Sequence, residues 1–386
     1  MKYLERPAFA RLLSVLVEDG YDLIGPTVQD GAIALDRING VEDLPRGVRE
    51  TQGPATYGLE RTADERLFDW AHGPDSAKKF LFRASEVVGR TRRVDREVVV
   101  EPPAVEERPL VFVGLRSCDL HAIEVQDRVF RFGEPGYRAR REASVFIGFR
   151  TGDPMYGVRR ESALVIGVNC AVPGATCFCV SMGTGPRCTS GFDLALTEIT
   201  DGFVVNVATV RGERVLARVG TREPTWRELE EAERITREAA EQMGRELDAS
   251  DMPELLYRNR HHPRWKEVAA RCLACGNCTF ACPTCFCHDL VDGVSISGNE
   301  TWRTREWASC FSEEYSWAAG VVVRQSRDAR YRQWLTHKFA SWIDQFGTSG
   351  CVGCGRCITW CPVGIDVTEE VAAIRATDGE VEVAAS

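Results

Sequence analysis

The sequence predicts an α+β protein: an N-terminal α/β domain followed by a smaller, mainly helical domain rich in cysteine. Three observations carry that reading. Short apolar runs of strand length alternate with a helical pattern from about residue 109 to 210. An acidic stretch breaks this texture at 225–254, where ten acidic residues stand against four basic ones. Beyond it one twelve-residue pattern occurs twice, CLACGNCTFACP at 272–283 and CVGCGRCITWCP at 351–362. These signals divide the chain into 1–224, a linking helix over 225–262, and 263–386.

Taken in order, AFARLLSVLVE (8–18) has helical apolar spacing and Gly20 as a stop. The rest of 1–100 reads as short helical patterns with Gly and Pro punctuation, a cysteine-free packing layer. PLVFVGL (109–115), SVFIGF (144–149) and ALVIGV (163–168) read as buried strands, with LHAIEVQDRVF (120–130) as a helix between the first two. That alternation predicts a largely parallel sheet. FVVNVATV (203–210) reads as a further strand, at an edge. Thr225 and Glu228 make a capping box that opens a helix running to about Leu247. Its charges read as a solvated helix face.

In the C-terminal part, WLTHKFASWIDQF (334–346) sets Trp334, Leu335, Lys338, Phe339, Trp342, Ile343 and Phe346 at helical spacing, with Gly347 as C-cap. The stripe reads as core packed beneath a cofactor. Asp366 and Glu369 open a last helix over VTEEVAAIRA.

The chain has 48 Lys and Arg against 57 Asp and Glu, a net charge of −9. This argues against nucleic acid and anionic membranes as partners, since both attract a cationic excess. No apolar run approaches the ~18 residues of a membrane helix, so no membrane insertion is expected. Glu5, Arg6 and Arg11 interrupt the apolar region a signal peptide would need. The expected location is cytoplasmic.

Sixteen cysteines then set the chemistry. Residues 1–117 hold none, 118–188 hold five and 272–361 hold eleven. A reducing compartment disfavours disulfides, so clustered thiols point to metal or redox work. Each repeat has the spacing C-x2-C-x2-C-x3-C-P: Cys272, Cys275, Cys278, Cys282 and Cys351, Cys354, Cys357, Cys361. Three thiolates on a tight loop hold three irons of a cubane, and the fourth reaches across to the other cluster. Cys272, Cys275, Cys278 and Cys361 are therefore read as ligands of one [4Fe–4S] cluster, and Cys351, Cys354, Cys357 and Cys282 of a second. Gly276 and Gly355 read as positions where the loop must approach the cluster closely. Structural zinc needs four ligands in all, and a C-x-x-C redox pair does not explain duplication.

Cys118 and Cys170 each follow a candidate parallel strand, at the sheet edge where open α/β sheets bind ligands. Cys177 and Cys179 follow in the glycine-rich loop TCFCVSMGTGP. These four read as a possible third iron–sulfur site; buried free cysteines are the alternative. TCFC recurs at 284–287, so Cys285, Cys287 and Cys310 could contribute to that site or line its surroundings. Cys188 reads as a plain side chain, and His261 and His262 as exposed or capping residues. Residues 303–338 hold seven Lys or Arg against four Asp or Glu, either a solvated surface or charge balance for anionic clusters. There is no G-x-G-x-x-G after a strand, no Walker loop and no nucleophile–base arrangement. No catalytic residue is assigned.

Together GLRSCDLHAI (114–123), CFCVSMGTGP (177–186), CPTCFCHD (282–289), YRQWLTHKF (331–339) and GCVGCGRCITWCPVGID (350–366) resemble the beta subunit of cytosolic NAD(P)-linked [NiFe] hydrogenases of the sulfhydrogenase type. The A subunit of anaerobic sulfite reductase is similar. Where the resemblance leads one to expect Trp-Asp-Ser-Cys, this chain has Trp307-Ala308-Ser309-Cys310. The resemblance implies a ferredoxin-like dicluster domain and a relay role. Electrons would pass between a flavoprotein NAD(P)H-binding subunit and the [NiFe] hydrogenase small and large subunits. A sulfite reductase subunit, and a self-contained redox enzyme with its substrate in the N-terminal domain, are the alternatives.

Overall fold

The computed structural model describes residues 1–102, 108–131 and 152–379. A seven-stranded mixed sheet organises the first half, in the order β1 (Lys2–Glu5), β11 (Gly202–Val207), β10 (Leu194–Ile199), β9 (Leu164–Val168), β8 (Leu110–Leu115), β2 (Asp22–Gln29), β3 (Ala32–Ile38). The contacts β10–β9, β9–β8 and β8–β2 are parallel, and the outer ones antiparallel. The expected strands at 109–115 and 163–168 are present; the one expected at 144–149 lies outside the described residues. The strand at 203–210 is not an edge, because β1 pairs along its outer side.

Side chains alternate across this sheet. Val111, Val113, Leu164, Ile166 and Val168 meet Phe9, Leu12, Leu13 and Leu16 of α1 (Arg6–Glu18). Leu110, Phe112 and Val165 point the other way, toward Leu120, Ile123 and Phe130 of α3 (Ser117–Phe130) and Tyr156 of α4 (Pro154–Ser162). Both faces are thus covered, which is why these strands read as unbroken apolar runs. Each fully buried Leu, Ile or Phe contributes roughly 1.5–3 kcal/mol.

Residues 1–100 differ from the expected helical layer. They hold β2 and β3, the hairpin β4 (Val48–Gly53) and β5 (Thr56–Arg61), the short α2 (Lys78–Leu81), and β6 (Ser85–Val94) with β7 (Glu97–Glu101). Gly20 closes α1 as expected, at φ +88° with its N–H donating to Val17 O, but most Gly and Pro beyond it mark turns and strands rather than helix ends.

The capping box at Thr225 forms, but its helix, α5 (Trp226–Glu241), ends before Leu247. The chain must turn there: a Cβ on Gly244 would lie 2.2 Å from the Ala175 carbonyl oxygen, and Arg245 N donates to Cys177 O. Ala232 and Ile235 of this helix cover Ile199 and Val204 of the sheet.

Beyond it, α6 (Met252–Arg258), α7 (Arg264–Arg271), α8 (Arg327–Thr336) and α9 (Val367–Ala376) share a core of Trp265, Tyr331, Trp334, Leu335, Phe339, Ile358, Val371 and Ile374. The helix expected over 334–346 begins earlier, at Arg327. It runs through a π-helical turn at His337–Ser341 into a final turn, Trp342–Phe346, closed by Gly347 at φ +69°. Asp366 caps the last helix through Thr368 N. His262 also has a capping part, accepting from Arg264 N at 3.1 Å.

The C-terminal half is not purely helical. A hairpin, β12 (His288–Val294) and β13 (Glu300–Trp307), extends a four-stranded sheet in the order β12–β13–β6–β7. A buried ion network fastens it. Arg305 reaches Glu86 at 2.9 Å and also contacts Asp153, while Glu86 holds Arg159. Breaking such a network from one side costs about 3–5 kcal/mol.

Candidate metal centres

The two repeats fold alike. Two residues after the first cysteine the backbone is left-handed, Ala274 at φ +54° and Gly353 at +64°. It is left-handed again after the second cysteine, Gly276 at +80° and Gly355 at +74°. A short helical turn follows in each, Asn277–Phe280 and Arg356–Thr359, and these turns pack on one another. Backbone N–H groups donate to sulfur in matching places: Ala274 N to Cys272 Sγ and Gly353 N to Cys351 Sγ, both at 3.4 Å. The sequence repeat is therefore also a repeat of backbone geometry.

Gly355, and Gly353 beside it, have a reason in the fold itself. A Cβ on Gly355 would lie 2.2 Å from Thr176 O, and one on Gly353 would lie 2.6 Å from Phe178 O. They admit the TCFC loop at 176–179 onto the second repeat, where Phe178 N donates to Gly353 O at 2.8 Å. Gly355→Ala is accordingly expected to destabilise the protein by at least about 1–3 kcal/mol, from the left-handed backbone alone. A lowered thermal midpoint checks this; an unchanged midpoint would mean that the two loops do not need this contact.

Cys272, Cys275, Cys278, Cys357 and Cys361 line one cavity, together with Phe311, Tyr331 and Trp334. The four cysteines expected for the first cluster are among them, Cys361 arriving from the other repeat, and Cys357 of the second expected set stands beside them. The donors fit. Ile365 N points to Cys361 Sγ at 3.4 Å, and the buried Tyr331 hydroxyl and Trp334 Nε1 have no protein partner. Burial pushes Cys272 up and Cys278 well up, so as free groups they stay protonated. Metal would relieve a set of packed, neutral thiols. Cys275 is solvent-exposed, which places this centre at the surface.

Cys282 faces the second repeat. It is among the groups that act on Cys351, Cys354 and Cys357, whose thiols burial raises. Cys282 itself is held well below the usual thiol range by a hydrogen bond with Cys285, and by Lys338 and Lys78.

Cys118, Cys170, Cys177 and Cys179 also gather, at the carboxyl ends of β8 and β9. Cys118 is the second residue of α3, and it shares an apolar cluster with Cys179, Cys354 and Trp342. Cys177 Sγ lies 3.6 Å from Cys354 O and 3.7 Å from His72 Nε2. Both Cys177 and Cys179 feel Cys170. Around them sit buried polar groups that the sequence reading missed. Arg356 pairs with Asp119 at 2.8 Å and donates to Gly73 O, while Arg116 lies over Trp70 at 4.3 Å. Arg116 Nε, Arg356 Nη1 and His72 Nδ1 are buried without a hydrogen-bond partner. Such donors suit anionic sulfur. Cys188 lies in the apolar core with Leu120 and Phe192.

Cys285 interacts with Cys282, and Cys287 with Cys310, while Phe286 between them packs on the apolar cluster that holds Cys118, Cys179 and Cys354. Among the described residues no three His, Cys, Asp or Glu side chains stand close enough to clamp a single metal ion.

The 4Fe-4S dicluster domain family matches residues 271–365. Over 88% of its length the chain is similar to sulfhydrogenase 2 subunit beta of Pyrococcus furiosus, at 28% identity and covering 95% of that protein. The resemblance read from the RSCD and TCFC segments is thus borne out along most of the chain. No solved structure matches.

Proposed function

We propose that this chain is the iron–sulfur electron-transfer subunit of a hydrogenase complex. It relays electrons between a flavoprotein that handles NAD(P)H and the small and large subunits of a [NiFe] module, in the cytoplasm. The observation that carries the reading is the adjacency of the thiol groups: one open to the surface at Cys275, a second sharing its cavity through Cys357, and a third whose Cys177 Sγ lies 3.6 Å from Cys354 O. The relative's description as a subunit of a sulfhydrogenase supports it. Among the described residues no helix is long and apolar enough to cross a membrane.

The residues that would hold the groups are Cys272, Cys275, Cys278 and Cys361 for one cluster and Cys282, Cys351, Cys354 and Cys357 for another. A third would use Cys118, Cys170, Cys177 and Cys179. When bound, such clusters exchange single electrons over a range of roughly −700 to +450 mV. The chain supplies thiolates, N–H donors to sulfur and a dry surround that fixes where in that range each centre lies. The positive charges of Arg116 and Arg356 around the N-terminal group favour the reduced, more negative state and so raise its potential, while burial and these arginines keep His72 neutral.

The test is native anaerobic purification with identification of partners and metals. Flavin and nickel in co-purifying subunits are expected. Siroheme would point to a sulfite reductase instead, and turnover by the chain alone would point to a self-contained enzyme. The isolated chain is expected to retain neither flavin nor NAD(P)H after reconstitution and desalting. Stoichiometric flavin in the isolated chain would overturn the relay reading.

A further inference from the structure

We propose that Cys285, Cys287 and Cys310 hold a further iron–sulfur centre, separate from the three above, and that Lys78 and Lys338 balance its negative charge. The proposal rests on the iron–sulfur reading of the chain.

The hairpin β12–β13 is what assembles the site. Cys287 immediately precedes β12 and Cys310 follows β13, and the register His288↔Trp307 brings the two ends together. Ala308 N donates to Cys287 O at 3.0 Å, and the Cys287 and Cys310 thiols touch. The Tyr315 hydroxyl also contacts Cys287. Cys285, two residues before Cys287, lies against Cys282.

Two buried ammonium groups face this cluster. Lys78 is 4% exposed and donates to the carbonyls of Phe280 at 2.9 Å and Cys282 at 2.8 Å, with the Trp307 ring 4.1 Å away. Lys338 is 3% exposed and donates to Thr284 Oγ1 at 2.7 Å and Gly350 O at 3.1 Å, with the Trp342 ring 4.5 Å away. Neither forms a salt bridge with a carboxylate among the described residues. Burial lowers Lys78 to about 8 and Lys338 adds repulsion, while the groups near enough to favour the ammonium are thiols: Cys285, Cys282 and Cys287 at Lys78, and Cys282, Cys285 and Cys351 at Lys338.

Buried cations are rarely left without a counter-charge. The second repeat's cluster accounts for part of it, through Cys282 and Cys351. Its loop does not account for Lys78, which looks onto Cys285 and Cys287 as well. Thiolates on a cluster would supply the missing anion, as carboxylates do elsewhere in the fold. With Cys282 committed to the second repeat, the site offers three cysteines, and Tyr315 as its remaining polar neighbour.

The experiment compares the full chain with Cys287→Ala/Cys310→Ala, both purified anaerobically within whatever complex forms. Iron, acid-labile sulfide and EPR spins are counted. The expected result is a loss of about three to four irons, as three thiolates can hold, with the dicluster signals retained. An unchanged iron count overturns the proposal. So does a Cys287–Cys310 disulfide, detected by thiol titration of the unfolded chain without reductant. A parent chain with no iron at all would instead overturn the iron–sulfur reading itself. Should the double variant fail to fold, Lys78→Met serves. It is expected to shift one additional centre, outside the dicluster pair, to a more negative midpoint, and a shift confined to the dicluster pair refutes the proposal.

Discussion

Cys361→Ala is expected to abolish or convert the cluster held by Cys272, Cys275 and Cys278, three residues some eighty positions earlier in the chain. Cys282→Ala is expected to do the same to the centre of Cys351, Cys354 and Cys357. The reason is geometric. Cys361 lines the cavity of the first repeat's thiols, and Cys282 Sγ lies 3.2 Å from Thr284 Oγ1, which donates to Gly350 O next to Cys351. The proline after each fourth cysteine, Pro283 and Pro362, turns the chain away once that thiol has been delivered. Removing one of four ligands leaves an iron without its thiolate, so the effect is loss of a whole spin system rather than a graded change. The serine variants keep an oxygen donor and are expected to shift the midpoint while retaining some cluster. Potentiometric EPR on all four variants decides the matter. If each variant alters only the cluster of its own loop, the crossed ligation is wrong.

What the sequence makes legible follows from how local each signal is. The cysteine repeat, the capping box at Thr225 and Glu228, and the apolar runs of β8 and β9 are each written in a few consecutive residues, and each appears in the fold. The hairpin β12–β13 is not legible in that way. Its strands, HDLVDGV and ETWRTREW, are polar and largely exposed, so no buried face imposes a two-residue period. The edge position of β11 was misjudged because its covering strand, β1, lies some two hundred residues earlier. The polar surround of the thiols was missed for the same reason. Lys78, His72 and Arg116 come from separate segments that only the tertiary fold brings to the cysteines. One sign was present: Lys338 stands inside an otherwise aromatic, buried helical stripe, where a cation needs an explanation. The basic surplus of 303–338 turns out to be mixed. Lys338 and Arg305 are buried and paired with specific groups, whereas Arg303 is at the surface with Asp292.

The N-terminal thiols give the remaining large effect: Cys177→Ser/Cys179→Ser is expected to remove about four irons and four sulfides from the anaerobically purified chain. The competing account is four buried free cysteines, and the two accounts differ in protonation. Without metal, burial drives Cys118 and Cys177 well above the usual thiol range and Cys179 up to about 12, with neighbouring thiols adding to the rise. Free thiols here would therefore be neutral and inert at any physiological pH. A neutral site has no use for the surrounding donors. Yet Arg116, Arg356 and His72 are buried against it with N–H or ring nitrogen atoms that have no other partner, a costly arrangement in an apolar setting. Thiolates bound to metal repay that cost, because each N–H can then point at anionic sulfur. Asp119 alone cannot, since its carboxylate is engaged by Arg356 and it accepts from the backbone of Arg116. The double variant should consequently lose iron and one EPR signal while the dicluster signals remain. Arg356→Met, which keeps the length of the side chain, should shift the lost signal's midpoint to more negative values in the otherwise native chain. An iron count that is the same in the parent and the double variant would return Cys118, Cys170, Cys177 and Cys179 to the core as ordinary buried thiols.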